Sequence, residues 1–224
     1  ACFDAPQSKF ALARLDQQDK AYGFTVSGGS PDGYFESTST AFVGDTWVHL
    51  VWVLTRPDTV SASSTWRFYV NGVGIFGVSE TTSYPVDVNY ACGYVGKDTF
   101  EGRIDDLHIF DRSLSVVNAR HLYLIGTLPT HSYTWEPSLV GDSSGYGRNF
   151  TADTNAGVRL NDPALCKFGN ACLSLSANQS LNIPAFRFGE GTELTISVWV
   201  YRTSTVGSEE IIGFQDTACF DAPQ

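Results

Sequence analysis

Short runs of β-branched and aromatic residues, each closed by a turn signal, recur along this chain roughly every ten positions. KFALARL (Lys9–Leu15) and AYGFTVSGG (Ala21–Gly29) read as a hairpin across QQDK, and GYFESTSTAF leads into the long run DTWVHLVWVLTRP. TWRFYVNGVGIFGVS reads as a second hairpin, because Phe68 and Val70 alternate with other residues and Asn71-Gly72 supplies a turn with positive φ. FEGRIDDLHIF, ACLSLSA, SLNIPAF, ELTISVWVYRTS and EEIIGFQD continue the series. The helical candidate is SLSVVNARHLYLIG (Ser113–Gly126), with Ser113 or Ser115 to cap its start and Gly126 its end. A dozen or more strands and one short helix predict an all-β sandwich.

Composition agrees: aromatics are 13% of the residues, Gly occurs 21 times, and 42% hydrophobic content suffices for a sizeable core. A formal charge of -10 repels phosphate backbones and argues against nucleic acid as a partner. No apolar run reaches the length of a membrane span. The sequence has no Met, so it is expected to be a mature fragment or an internal slice of a longer protein. Gly72, Gly74 and Gly77 spell G-x-G-x-x-G, but strands are expected on both sides, so these glycines are assigned to a hairpin and not to a nucleotide loop.

The heptapeptide ACFDAPQ occurs twice, at Ala1–Gln7 and at Ala218–Gln224. A perfect match of that length implies a shared origin. It also bears on the five cysteines, Cys2, Cys92, Cys166, Cys172 and Cys219. If Cys2 and Cys219 are one position seen twice, four distinct cysteines remain. The spacing CKFGNAC suits a local Cys166–Cys172 bridge and leaves Cys92 for the Cys2/Cys219 position. Reduced core cysteines or a metal cluster are the alternatives, and zinc is disfavoured by the lack of C-x-x-C or Cys/His spacing. Disulfides imply an oxidising compartment, so the chain is expected to be secreted or extracellular.

Two blocks together carry a family resemblance. DTWVHLVWVL…TWRFYVNGVGIFGVS…CGYVGKDTFEGRIDDLHIFDRSLS resembles the C-terminal two-thirds of laminin-G-like domains of the concanavalin A-like lectin/glucanase superfamily. WEPSLVGDSSGYGRNFT…CKFGNACLSL…LTISVWVYRTS resembles the N-terminal third of the same family. The resemblance implies a jelly-roll β-sandwich. It also shows the family order to be exchanged. Residues 1–126 match the later two-thirds, 131–224 the earlier third, and 127–130, with Pro129, read as a linker between repeats. Overlaying the two copies of ACFDAPQ restores the family order. The chain is therefore expected to be a window on a tandem array, or else a circular permutant. The two portions then complete one sandwich, either within one chain or between neighbouring copies in a head-to-tail filament.

The chemistry expected is modest. Related glucanases place alternating carboxylates on one strand face, and no such run occurs here. Glu209-Glu210 and Asp105-Asp106 are adjacent pairs expected to face opposite ways, and His49, His108, His121 and His131 are read as ordinary surface or edge residues. An enzyme is not expected. The resemblance implies a calcium ion at the sandwich rim, and the matching residues are Asp142 with Asp105 or Asp106, the last standing where the family has Glu. Alternatively, Asp142 starts an Asx-turn and Asp105 accepts from a backbone amide. Glycan binding is a further implication of the resemblance. Tyr34, Tyr84, Tyr90 and Tyr146 lie in loop-like stretches where a sugar could stack, whereas Trp47, Trp52, Trp66, Trp135 and Trp199 are expected in the core. Asn149 and Asn178 head N-glycosylation sequons. The reading that unites these points is an extracellular structural or adhesion module, repeated in tandem and partnered by other copies of itself. A carbohydrate-binding module is the alternative.

Overall fold

The structure, a computed structural model, describes residues 9–15, 21–27, 30–36, 45–55, 65–75, 92–98, 100–125, 131–133, 151–152, 158–160, 162–168, 171–183, 193–203 and 209–215. In chain order the strands are β1 Lys9–Leu15, β2 Ala21–Ser27, β3 Ser30–Glu36, β4 Trp47–Thr55, β5 Thr65–Val70, β6 Val73–Ile75, β7 Cys92–Asp98 and β8 Gly102–Phe110. The helix α1 covers Val116–Ile125. After it come β9 His131–Tyr133, β10 Thr151–Ala152, β11 Val158–Leu160, β12 Cys172–Leu175, β13 Leu181–Ile183, β14 Glu193–Arg202 and β15 Glu209–Gln215.

These strands form two antiparallel sheets. One runs β10-β13-β7-β15-β1-β2-β3, the other β11-β12-β8-β14-β4-β5-β6, with β9 beside β8. Val95, Leu181, Ile183 and Ile212 of the first sheet join Val48, Leu50, Trp52, Ile196 and Val198 of the second in one buried cluster. The all-β sandwich with one short helix expected from the sequence is what the chain forms. Strands β7, β9, β10 and β11 were not anticipated; the last three are only two or three residues long.

The two portions of the chain are not separate bodies. β14 lies between β4 and β8, and β15 lies between β7 and β1, so each sheet has a strand of the later portion in its interior. β14 pairs with β4 from Glu193↔Thr55 to Tyr201↔Trp47. Residues 127–130 and both copies of ACFDAPQ lie outside the described residues.

α1 explains why β4 carries apolar residues on both faces. Val48, Leu50, Trp52 and Leu54 point into the sandwich. Val51 and Val53 point the other way, into a second cluster with Tyr69, Phe110 and the helix-side residues Leu114, Ala119 and Leu122. A strand covered on both sides reads as a continuous hydrophobic run. The helix begins at Ser115, whose Oγ accepts the Asn118 N–H at 3.2 Å. Ser113 instead donates its N–H and its hydroxyl to the Glu193 carboxylate at 3.0 and 2.9 Å, pinning the helix entrance to β14. Thr195 adds a second pin, accepting the Leu114 N–H and donating to the Arg112 carbonyl.

The β5–β6 hairpin turns on Asn71 and Gly72, both at positive φ (50° and 74°), as the Asn-Gly pair predicts. Gly102 has a different reason to be glycine. A Cβ there would run into the carbonyl oxygen of Tyr201 on the adjacent strand. Gly102→Ala is therefore expected to cost about 1–3 kcal/mol, seen as a lower melting temperature. An unchanged melting temperature would show that β14 yields at this point.

Candidate functional site

The outer face of the second sheet is a ladder of three-residue rungs taken from β4, β14 and β8. The register sets Trp47–Tyr201–Arg103, then His49–Trp199–Asp105, then Val51–Ser197–His108, then Val53–Thr195–Phe110. The spacing along β8 is irregular because the register shifts between Ser197 and Trp199. The extra residue is Asp106, in the left-handed region at φ 50°. Such a bulge inserts one residue and re-aims its neighbours. Ile104 and Leu107 both enter the sandwich core, and Asp105 and Asp106 both stay out of it. The expectation that these two carboxylates face opposite ways is thus corrected, because strict alternation does not survive a bulge.

Asp105 is buried and accepts three backbone N–H groups. Asp106 donates to Oδ1 at 2.9 Å, and Lys167 and Phe168 donate to Oδ2 at 3.0 and 2.9 Å. Burial pushes its carboxyl up to about 6 against the pull of those three amides, with the Asp106 charge adding to the rise. The carboxylate ties β8 to the loop before β12, which is closed by the Cys166–Cys172 disulfide with Cα atoms 5.4 Å apart. Closing so short a loop contributes roughly 2 kcal/mol. Arg103 supports the same loop by donating to the Leu165 carbonyl at 3.1 Å.

His49 and His108 are not surface residues. They are 1% and 6% exposed, buried on the outer sheet face, and this corrects the sequence expectation. His121 is exposed, and His131 opens β9. The missed signal was in WVHLVWVL itself, where apolar residues occupy both alternating positions and so require cover on both faces. His49 Nε2 lies 2.8 Å from Ser197 Oγ, while Nδ1 has no hydrogen-bond partner. Burial holds His49 down to about 3; the Asp106 charge opposes this, and the His108 and Lys167 charges add to it. The ring is therefore neutral at ordinary pH. A bare Nδ1 acceptor costs less than a buried orphan N–H, so the proton belongs on Nε2, donated to Ser197. That tautomer cannot take a proton from the serine, and Ser197 is fully buried. The pair joins β4 to β14. Asp106 Oδ1 approaches His108 Nε2 to 2.8 Å, but the direction is not that of a hydrogen bond, so the contact is an ion-pair distance only.

Aromatic rings cover this polar interior. Tyr123 of α1 stacks on Trp199 at 5.5 Å and 23°, and Phe168 meets the same indole edge-on at 5.6 Å. The Lys167 ammonium sits 4.2 Å from the Trp199 ring centre. The first rung lies next to this cover. Tyr201 touches Trp47 at 5.7 Å and carries the Arg103 guanidinium at 4.6 Å. Trp52 is in the core as expected. Trp199 is buried on the outer face instead, and Trp47 is half-buried and packs against the core cluster.

Asp105 accepts amide hydrogens on both oxygens, and Asp106 Oδ1 lies 2.8 Å from His108 Nε2. No group of three or more His, Cys, Asp or Glu among the described residues is arranged to hold a metal. Asp142, Asn149, Cys2, Cys219, Tyr84, Tyr90, Tyr146 and Trp135 lie outside the described residues. Cys92 opens β7, Tyr34 lies in β3, and Trp66 lies in β5. Asn178 is exposed, at φ 64°.

Against known proteins, a laminin-G-type family model described as the concanavalin A-like lectin/glucanases superfamily matches residues 3–118. The chain belongs to this superfamily. Searches of curated proteins and of solved structures found no match. As a concanavalin A-like protein, the chain is in general terms a lectin-like or adhesion-type module, with a fold compatible with glycan binding. Laminin-G-like members are generally not enzymes and are typically extracellular. Among the described residues, no helix is long and apolar enough to cross a membrane.

Proposed function

We propose that this chain is a non-catalytic, extracellular adhesion or structural module, repeated in tandem, whose unit runs from residue 131 through ACFDAPQ and on to residue 126. The pairing of β15 with β1 carries this reading. The strands are antiparallel neighbours with Gln215 opposite Lys9, so the segments bearing the two heptapeptides leave the sheet at the same end. One copy of ACFDAPQ, with Asp216, Thr217 and Ser8, then serves as an ordinary connection between adjacent strands. The Cys166–Cys172 bridge fits an oxidising compartment, and the sealed His49–Ser197 pair fits a module without catalysis. Calcium at Asp142 with Asp105 or Asp106 is an added proposal, checked by calorimetric titration.

The deciding experiment is to express residues 131–224 joined directly to 8–126, with a single heptapeptide. Its far-UV spectrum and melting temperature are expected to match those of the original order. A reordered chain that fails to fold would remove the tandem reading. The second reading, carbohydrate binding, is favoured by one observation: the Trp47–Tyr201–Arg103 rung is left half-exposed next to Phe168, which is 46% exposed.

A further inference from the structure

We propose that the outer face of α1, with Val73 of the adjoining hairpin, docks onto the following copy of this chain, on the side of that copy where β9 lies. The proposal rests on the tandem reading and names the surface through which successive units touch.

The face is apolar where a surface helix is ordinarily polar. Ala119 and Leu122 point inward to the second cluster. Val117, His121 and Leu124 follow one another at i, i+4 and i+7 on the opposite side, and Val116 flanks them. Val116, Val117 and Leu124 are 54%, 70% and 60% exposed. Val73, 64% exposed, opens β6, which lies against α1, and a Cβ on Gly72 would stand 3.2 Å from Tyr123. Four of the five large apolar side chains exposed among the described residues therefore gather on one side of the molecule. Single exposed apolar residues need no explanation, but a gathered set marks a contact surface.

Chain length says what covers it. When units follow one another in the chain, His131 opens the next one, and only Gly126 and residues 127–130 separate it from Ile125 at the end of α1. Fully extended, that stretch reaches about 20 Å. A compact chain of this length has a radius of gyration of about 17 Å. The next copy therefore cannot stand clear of the helix end, and its β9, which His131 begins, is the part held nearest. Charge agrees. From Arg112 to Ile125 there are two arginines, a histidine and no carboxylate, whereas the whole chain carries -10. A basic helix face is complementary to the acidic surface of another copy. The contact joins unlike surfaces, α1 of one unit and the β9 side of the next, so it repeats without closing.

The test is sedimentation equilibrium of the intact chain up to about 1 mM, the effective concentration a short linker imposes. Contact between free chains uses the same face. Its dissociation constant is expected at about 0.1–1 mM, with the average mass rising past that of a dimer and falling as salt rises. V117K combined with L124K is expected to weaken association at least about tenfold at an unchanged melting temperature, because both positions are exposed. R120E is expected to weaken it about three- to tenfold. The doubly substituted chain keeps its β9 side, so mixing it with the unmodified chain is expected to shorten the assemblies. A monomer at every concentration overturns the interface. A mass that stops at a dimer, or no shortening in the mixture, overturns the head-to-tail arrangement. Association unchanged by V117K with L124K overturns the location, and association unchanged by R120E overturns the role of charge. The tandem reading is judged separately by the reordered chain: if that chain fails to fold while α1 still drives association, the reading falls and the surface stands.

Discussion

Expressed separately, residues 1–130 and 131–224 are expected to show no cooperative unfolding transition, and co-expression is expected to restore one. The reason is the place of β14. Its Leu194, Ile196, Val198 and Val200 sit in the same core cluster as Val48, Leu50, Trp52 and Leu54 of β4. Removing β14 uncovers the inner faces of both its neighbours and opens both their hydrogen-bonding edges. Four buried aliphatic side chains account for about 6–12 kcal/mol of transfer free energy. That is comparable with the whole net stability of a domain, about 5–15 kcal/mol. Near-ultraviolet circular dichroism and thermal melts of each portion, alone and mixed, measure the effect. A native-like melt from either portion by itself contradicts the shared core.

The second large effect is in pH. His49 stays neutral down to about 3 in the native state, against 6.5 when unfolded. As pH falls, the unfolded chain takes up the proton first. The stability present above pH 6.5 is therefore lost between about pH 6.5 and 3, at up to about 1.4 kcal/mol per pH unit. Asp105 runs the other way. Its carboxyl is raised to about 6 against 3.8, so the native chain protonates first, and its contribution is present at low pH and lost as pH rises through about 6. Over roughly pH 6 to 4 the two slopes oppose each other. The unmodified chain is expected to show a shallow profile there and a steeper loss below pH 4. H49Q, which keeps a donor for Ser197, is expected to gain stability on acidification from pH 6 to 4. D105N, which keeps an acceptor for the Lys167 and Phe168 amides, is expected to lose stability throughout, by about 3 kcal/mol between pH 7 and 4. Denaturant midpoints at pH 7, 6, 5 and 4 read both slopes. A profile for H49Q that follows the unmodified chain removes His49 as the source. Asp106, His108 and Lys167 surround the pair, so each variant is compared at one salt concentration.

Most of the sandwich was legible from local pattern. Lys9–Leu15, Trp47–Thr55, the Asn71-Gly72 hairpin and Glu193–Arg202 all carry strand periodicity or turn chemistry that needs no tertiary information. Ser115 was one of two named caps, and only the Glu193 carboxylate, 80 residues away in sequence from Ser113, decides between them. The outer ladder was harder to see. The burial of His49 and His108 depends on α1 folding back over β4 and β8, a packing event that no single strand announces. The bulge at Asp106 was invisible for another reason. Asp is tolerated at positive φ but does not demand it, so the sequence carries no mark where alternation fails. In the sequence Lys167 and Phe168 are only spacers between two cysteines, yet their amides are what fixes Asp105.

Where the module is gripped decides how much load it bears. β1 and β15 are antiparallel neighbours, so tension applied at Lys9 and Gln215 falls on one hydrogen-bonded pair at a time and unzips the sheet from that end. Tension applied at Ile125 and His131 falls instead on a helix backed by a buried apolar cluster and on β9, whose pairs with β8 must give way before the sandwich is reached. A string of such units joined through residues 127–130 is held by the second grip, the stronger of the two.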